Sequence, residues 1–223
     1  MTAKLVSKKR RAKAIYSFNF LPEKALSYLA GQYIEMTVNH PSFDSRGQKR
    51  WFTLSSSPND KYITITTRIS PKSKSSSFKQ ALNNLSPGDQ IQISQPMGDF
   101  VLPIDKTTPL LFVAGGIGIT PFLSILSYLH TNKQTRTISL LYAATEPSQV
   151  INLDKYQDLL AEYSVLLTRL TPDIILTNAR KLGQPLIYLA GPEAMVESLN
   201  QQLIDSGIEP SRLVGDYFPG YDN

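Results

Sequence analysis

At 223 residues and 41% hydrophobic content, the chain is long enough to bury one or two sizeable cores. The absence of cysteine excludes disulfides, thiolate catalysis, iron–sulfur ligation and cysteine–zinc sites within it. With 23 basic and 18 acidic residues, its formal charge is +5. No apolar run is long enough to span a bilayer. The opening MTAKLVSKKRRAKAIYSF lacks the apolar core of a secretory signal, so the expected location is cytoplasmic. Lys4, Lys8, Lys9, Arg10, Arg11 and Lys13 carry much of the basic excess. Leu5, Val6, Ala14, Ile15 and Phe18 interleave with them, as on the solvated face of strands; a basic arm steering an acidic partner is the other reading. No helix-turn-helix, RNA-recognition or zinc-finger pattern points to nucleic acid.

Short strand-like segments dominate the first half: KLVSKKRRAKAIYSFNF, GQYIEMTV, WFTLSSS, YITITTRI and DQIQISQP. Turn signals at Pro41, Pro58-Asn59-Asp60 and Pro87-Gly88-Asp89 separate them, and this spacing predicts an antiparallel β-barrel. A helix over Phe78–Leu85 interrupts the series. The pattern changes across Leu102–Thr108. Beyond it, strands LLFVA, TISLLYAA, SVLLTRL and PLIYLAG alternate with helices over Pro121–His130, Asn152–Tyr163 and Glu193–Ser206. That rhythm predicts a doubly wound parallel α/β nucleotide-binding domain. The expected division is 1–104 and 105–223.

Two segments carry chemistry. Leu110–Leu126, LLFVAGGIGITPFLSIL, is a buried strand, a glycine turn and an apolar helix in succession. Gly115, Gly116 and Gly118 permit a sharp turn and close backbone approach to a ligand. Thr120 suits a helix N-cap and Pro121 the first helical position, where exposed amides attract a pyrophosphate. In Arg50–Pro58, RWFTLSSSP, an extended backbone would point Arg50 and Phe52 the same way. A cation and a ring together suit a phosphorylated aromatic cofactor. The two histidines, His40 and His130, read as surface residues. Neither a metal-ligand spacing nor a hydrolase nucleophile elbow around Ser55, Ser56 and Ser57 is present.

These segments, in this order, resemble the ferredoxin–NADP reductase superfamily of flavin-dependent oxidoreductases. Arg50-Trp51-Phe52-Thr53 is similar to its flavin motif, and Gly115 to Pro121 to its nicotinamide motif. Ala190-Gly191-Pro192 with Met195 resembles its Cys-Gly-Pro motif, with the cysteine replaced. Asp216, Tyr217 and Phe218 resemble its acidic–aromatic close. The resemblance implies a β-barrel holding FAD, or less readily FMN, and a second domain presenting NADH or NADPH. It implies that Arg50 contacts flavin phosphate, Phe52 stacks on the flavin ring and Thr53 hydrogen-bonds near its reactive nitrogen. Thr66, Thr67, Arg68, Ser76 and Ser77 would wrap pyrophosphate. Gly115, Gly116, Gly118, Thr120, Pro121, Gly191, Pro192 and Met195 would form the nicotinamide site, and Phe218 would shield the flavin. Glu146, after TISLLYAA, would repel a second phosphate and favour NADH, whereas Arg169 would compensate for NADPH. Reduced flavin would pass electrons to an acidic ferredoxin- or flavodoxin-like partner or a small oxidant. The alternative is a non-catalytic flavin- or nucleotide-binding subunit of a larger redox complex.

Overall fold

A computed structural model describes residues 1–41, 43–45, 47–71 and 75–217. The first strand-like stretch folds as a hairpin, β1 (Thr2–Ala12) and β2 (Ile15–Pro22), turning at Lys13-Ala14. Ala14 takes φ +57°, the left-handed conformation that so tight a turn requires. With β3 (Tyr33–Thr37), β4 (Lys49–Thr53), β5 (Ile63–Arg68) and β6 (Gln90–Ile93), it forms an antiparallel sheet of order β4-β3-β6-β1-β2-β5. A bridge between Leu54 and Ile65 and a 2.8 Å bond from Ser55 N–H to the Thr64 carbonyl bring its outer strands together. Alternation along the strands sends Leu5, Phe18, Phe20, Ile34, Met36 and Ile65 into one core. Helix α1 (Ser77–Asn84) covers that core with Phe78 and Leu82.

The second half builds β7 (Leu110–Gly115), α2 (Thr120–Thr131), β8 (Ile138–Ala143) and β9 (Glu162–Leu166). It continues with α3 (Pro172–Lys181), β10 (Leu186–Ala190), α4 (Glu193–Asp205) and β11 (Leu213–Asp216). The five strands are parallel in the order β11-β10-β7-β8-β9. Every residue of β7 is buried, as a central strand covered on both faces must be. Phe112, Phe122, Tyr142 and Tyr188 pack under α2, while Leu111, Val113, Ile175, Leu199 and Leu203 pack under α3 and α4. The chain winds outward from β7 through β8 and β9, then crosses back to β10. The crevice at the carboxyl ends of β7 and β10 is therefore the topological switch point where such sheets bind ligands.

Three local expectations change. Gly116–Ile119 form a 3-10 turn running directly into α2, so Thr120 is the first helical residue; its hydroxyl bonds back to the Ile117 carbonyl at 3.1 Å rather than capping. The expected helix over Asn152–Tyr163 is only a 3-10 turn over Asp154–Leu159, because the next strand already starts at Glu162. Helix α3 lies between SVLLTRL and PLIYLAG, where no helix was expected: Thr171 caps it and Pro172 opens it. Among the described residues, no helix is long and apolar enough to cross a membrane.

Gly118 lets this turn lie against the end of β10: a Cβ there would run into the Ala190 carbonyl and the Gly191 amide. Gly118→Ala is expected to cost about 1–3 kcal/mol through overpacking against backbone. Urea denaturation checks this, and an unchanged midpoint would show that the turn yields freely.

Candidate active site

Arg50 leaves β4 as a buried cation, its guanidinium 5.3 Å from the centre of the Phe78 ring. Its Nη1 donates to the Gly47 carbonyl at 3.2 Å and to the Lys49 carbonyl. Beside it lies the N-terminus of α1, where Ser76 Oγ accepts from the Lys79 amide at 3.2 Å. The carboxylate of Asp44 occupies the space between them. One oxygen accepts from the Ser77 amide at 2.9 Å, and the other lies 3.8 Å from Arg50 Nη2. Ser75 Oγ, next to this cluster, is buried with no hydrogen-bond partner among the described residues. A guanidinium and a helix amide already beside an anion, with serine hydroxyls next to them, form a place whose chemistry fits a phosphate.

Three residues along β4, Thr53 reaches the second sheet. Its Oγ1 donates to Asp216 Oδ2 at 3.3 Å. Asp216 ends β11 opposite Ala190, the residue at the family cysteine position. Burial pushes the Asp216 carboxyl up to about 6, and the Thr53 hydrogen bond only partly offsets that. The Phe52 ring packs 5.7 Å from Phe78 and is nearly inaccessible, whereas the exposed ring of β4 is Trp51. Sequence reasoning gave Asp44 no part, since a lone loop aspartate carries no signal. Asp216 was named only within a terminal motif. Phe218 and Tyr221 lie outside the described residues.

The glycine turn faces this contact. Gly116 takes φ +56°, and a Cβ at Gly115 would meet Met195 Sδ at 2.5 Å. Gly191, Pro192 and Met195 therefore pack against Gly115. The proposed pyrophosphate residues of β5 divide. Thr66 is buried in a hydroxyl cluster, its Oγ1 2.7 Å from Ser17 Oγ and 2.8 Å from Ser55 Oγ. Thr67 is buried as well. Arg68 instead points towards the glycine turn: its Nη2 lies 3.9 Å from where a Gly116 Cβ would sit, and donates to Gln149 Oε1 at 2.6 Å. Glu146 is engaged at the seam between the sheets, by Lys13 Nζ at 3.0 Å and by Gln149 Nε2 at 2.6 Å.

Comparison with known families matches residues 2–102 to the oxidoreductase FAD-binding domain and residues 112–172 to the oxidoreductase NAD-binding domain. The chain carries an oxidoreductase FAD-binding domain followed by an oxidoreductase NAD-binding domain, the pairing of ferredoxin–NADP reductase-like folds. It is a module that passes reducing equivalents between NAD(P)H and FAD. It is 27% identical over 242 residues to the flavohemoprotein of Bacillus cereus (strain ATCC 10987 / NRS 248), covering 96% of this chain and 60% of that protein. To the toluate 1,2-dioxygenase electron transfer component of Pseudomonas putida it is 29% identical over 207 residues, covering 86% of this chain and 59% of the relative. The chain thus spans about 60% of the length of these curated relatives. Its fold is that of ferredoxin–NADP+ reductase from Plasmodium falciparum, with a TM-score of 0.79 at 18% identity over 97% of this chain and 95% of that one. The Neisseria gonorrhoeae ferredoxin NADP+ reductase, solved with bound FAD and NADP, has a TM-score of 0.76 at 17% identity and covers 97% of each chain.

The reductase module therefore keeps a carboxyl of raised pKa beside its flavin strand. The unfolded Asp216 ionises near 3.8, the folded one near 6. Between these values the native state holds a proton that the unfolded state has lost, so this group's stabilising contribution fades as pH rises through about 6. Asp216→Asn removes the effect. The variant should gain about 1–2 kcal/mol on the parent between pH 4 and pH 7, allowing for partial exposure of the carboxyl. Denaturant midpoints measured across that range test it; a difference independent of pH would place Asp216 in ordinary solvent.

Proposed function

We propose that this chain is the NAD(P)H-oxidising part of an electron-transfer system, working in the cytoplasm and emptying its flavin into a separate acceptor. The division into a flavin unit, 1–104, and a nicotinamide unit, 105–223, belongs to this reading. The observation that carries it is the Thr53–Asp216 contact beside the Gly115–Gly118 turn, where the flavin strand and the nicotinamide crevice face each other. When bound, FAD supplies the chemistry: it accepts hydride and releases electrons. The protein's part is positioning, electrostatics and exclusion of water.

In this reading Arg50, Ser75, Ser76 and the Ser77 amide hold the flavin phosphates in the place that Asp44 marks. Thr53 sets the hydrogen bond beside the reacting ring, and Asp216 holds or yields a proton at its carboxyl according to pH. Gly115, Gly116 and Gly118 admit the dinucleotide backbone, with Arg68 as the nearby cation and Met195 as the packing wall. Because Glu146 is already paired with Lys13, it gives no reason to prefer NADH. Arg169, exposed just beyond β9, is the cation available to a 2′-phosphate, so NADPH is admitted as well. Relatives named as electron transfer component or flavohemoprotein support delivery of electrons to another centre. The exposed Lys9, Arg10 and Arg11 favour an acidic carrier as that acceptor.

The flavin assignment is tested by Arg50→Ala, which is expected to weaken FAD retention by about 1.5–3 kcal/mol, as for loss of a charged hydrogen bond. Flavin content and affinity equal to the parent's would remove Arg50 from the site. Gly116→Val is expected to keep FAD and lose bleaching by NADH and NADPH; bleaching at the parental rate would make the turn structural only. Transfer to an acidic carrier should slow as salt is raised from about 0.01 M to 0.15 M, since screening shortens the reach of the basic strand. A salt-independent rate would point to a small-molecule oxidant.

A further inference from the structure

The serine run Ser55-Ser56-Ser57 has no role in the reading above, yet it is bound on every side. The Ser56 hydroxyl accepts from the Thr64 amide at 2.9 Å and lies 2.8 Å from the Tyr28 hydroxyl. Tyr28 donates to the Ser57 carbonyl at 2.9 Å, and burial pushes its phenol well above the usual range, so it stays a neutral donor. The Ser57 amide donates to Asp60 Oδ2 at 3.0 Å. The last bond crosses to the other sheet: Ser124 Oγ, fully buried on α2, donates to the Ser56 carbonyl at 2.6 Å. Thr120, Ser124, Ser127 and Thr131 recur at helical spacing, giving α2 one face of small hydroxyl side chains. Farther along the helix, Asn59 Nδ2 donates to Asn132 Oδ1 at 3.0 Å in an exposed bond.

The covalent paths make the buried bond informative. Ser56 lies three residues from Thr53 on the flavin strand. Ser124 lies one helical turn beyond Thr120, where the nicotinamide turn becomes helix. A single short bond between two buried groups thus ties the segment beside one ring to the segment beside the other. A misplacement of about 1 Å between reacting groups can cost on the order of a hundredfold in rate.

We infer that Ser124 is a positioning residue: its hydrogen bond to the Ser56 carbonyl, held in place by the Tyr28–Ser56–Ser57 knot, sets the distance between flavin and nicotinamide for hydride transfer. This rests on the proposed hydride transfer. Ser124 touches neither ring; it acts through the backbone on either side. Removing its hydroxyl should leave both ligands bound and impair only their mutual placement.

The experiment compares the FAD-loaded parent with Ser124→Ala, Tyr28→Phe and Asn132→Ala. Three quantities are measured: flavin content, the KM and limiting rate of bleaching by NADH or NADPH in stopped flow, and the long-wavelength absorbance that arises when the two rings are in contact. Ser124→Ala and Tyr28→Phe should each lower the limiting rate by about tenfold and weaken the contact absorbance, with flavin content and KM within about twofold of the parent. Asn132→Ala, which breaks the exposed bond, should match the parent throughout. Ser124→Thr, which keeps a hydroxyl, should recover most of the lost absorbance. A parental rate and absorbance in both Ser124→Ala and Tyr28→Phe would overturn the inference. Loss of flavin or a large rise in KM in both would overturn it too, by making the knot a matter of folding or binding. A parent that is not bleached by either nucleotide would instead defeat the hydride-transfer reading itself.

Discussion

Two sheets of different architecture must be held so that a ring bound to one meets a ring bound to the other. The barrel packs Phe18, Phe20 and Ile34 within itself, and the parallel sheet packs Phe112 and Phe122 under its own helix, but Ile15, Ala30 and Phe100 of the first half join that second core, Phe100 lying 5.0 Å from Tyr188 and 5.6 Å from Phe122. That shared burial holds the halves together, but burial is non-directional and sets their relative orientation less sharply than a hydrogen bond does. Hydrogen bonds are directional. The seam uses them at well-separated points: Ser124 to Ser56, Thr53 to Asp216, and the chain Lys13–Glu146–Gln149–Arg68.

These bonds differ in what each can fix. The exposed pair Lys13–Glu146 is screened by solvent and holds two long side chains, so it adds little orientation. The Lys13 amide bonded to the Ser148 carbonyl at 2.7 Å is stiffer, since it seats the hairpin tip by backbone alone. Ser124–Ser56 is buried, short and close in sequence to both motifs, and the Ser56 carbonyl it meets also lies 3.2 Å from the Tyr28 hydroxyl, so the bond is held from both sides. The buried bond nearest the proposed chemistry therefore adds directional restraint to the orientation given by the Phe100 contacts and by the Tyr188 hydroxyl on the Val101 carbonyl.

Much of this was legible in the sequence, and what was not has a common cause. The alternation of QIQI and ITITT, the continuous apolar run of β7 and the glycine turn after it each depend on neighbours in the chain, and local pattern exposes them. The hairpin turn at Lys13-Ala14 escaped because alanine is an unusual residue at positive φ and carries no turn signal. Helix α3 escaped although Thr171-Pro172-Asp173 is a start signal, since the apolar run before it invited a longer strand. The shared direction of Arg50 and Phe52 was legible from strand alternation, but the contact of both with Phe78 of α1 was not, since that partner lies more than twenty residues away. Asp44 and Ser124 were invisible as site residues, and the contact Asp216 makes was invisible too, for a stronger reason. Each acquires its role from a partner 33, 163 or 68 residues away.

The basic stretch shows how a question posed by sequence can lose its either–or form in three dimensions. Lys8 is anchored, bonding to Asn83 and lying 4.8 Å from the centre of the Tyr16 ring, and Lys13 is anchored at the seam. Lys9, Arg10 and Arg11 remain exposed. β6 pairs with β1 over Thr2–Lys4, short of these residues. Cations on such an edge discourage strand addition by another chain. The same charges also contribute to the long-range field that an approaching acidic protein meets, because a field depends on where charge sits and not on why it is there. A solvated strand face and a steering surface are thus one arrangement serving two ends.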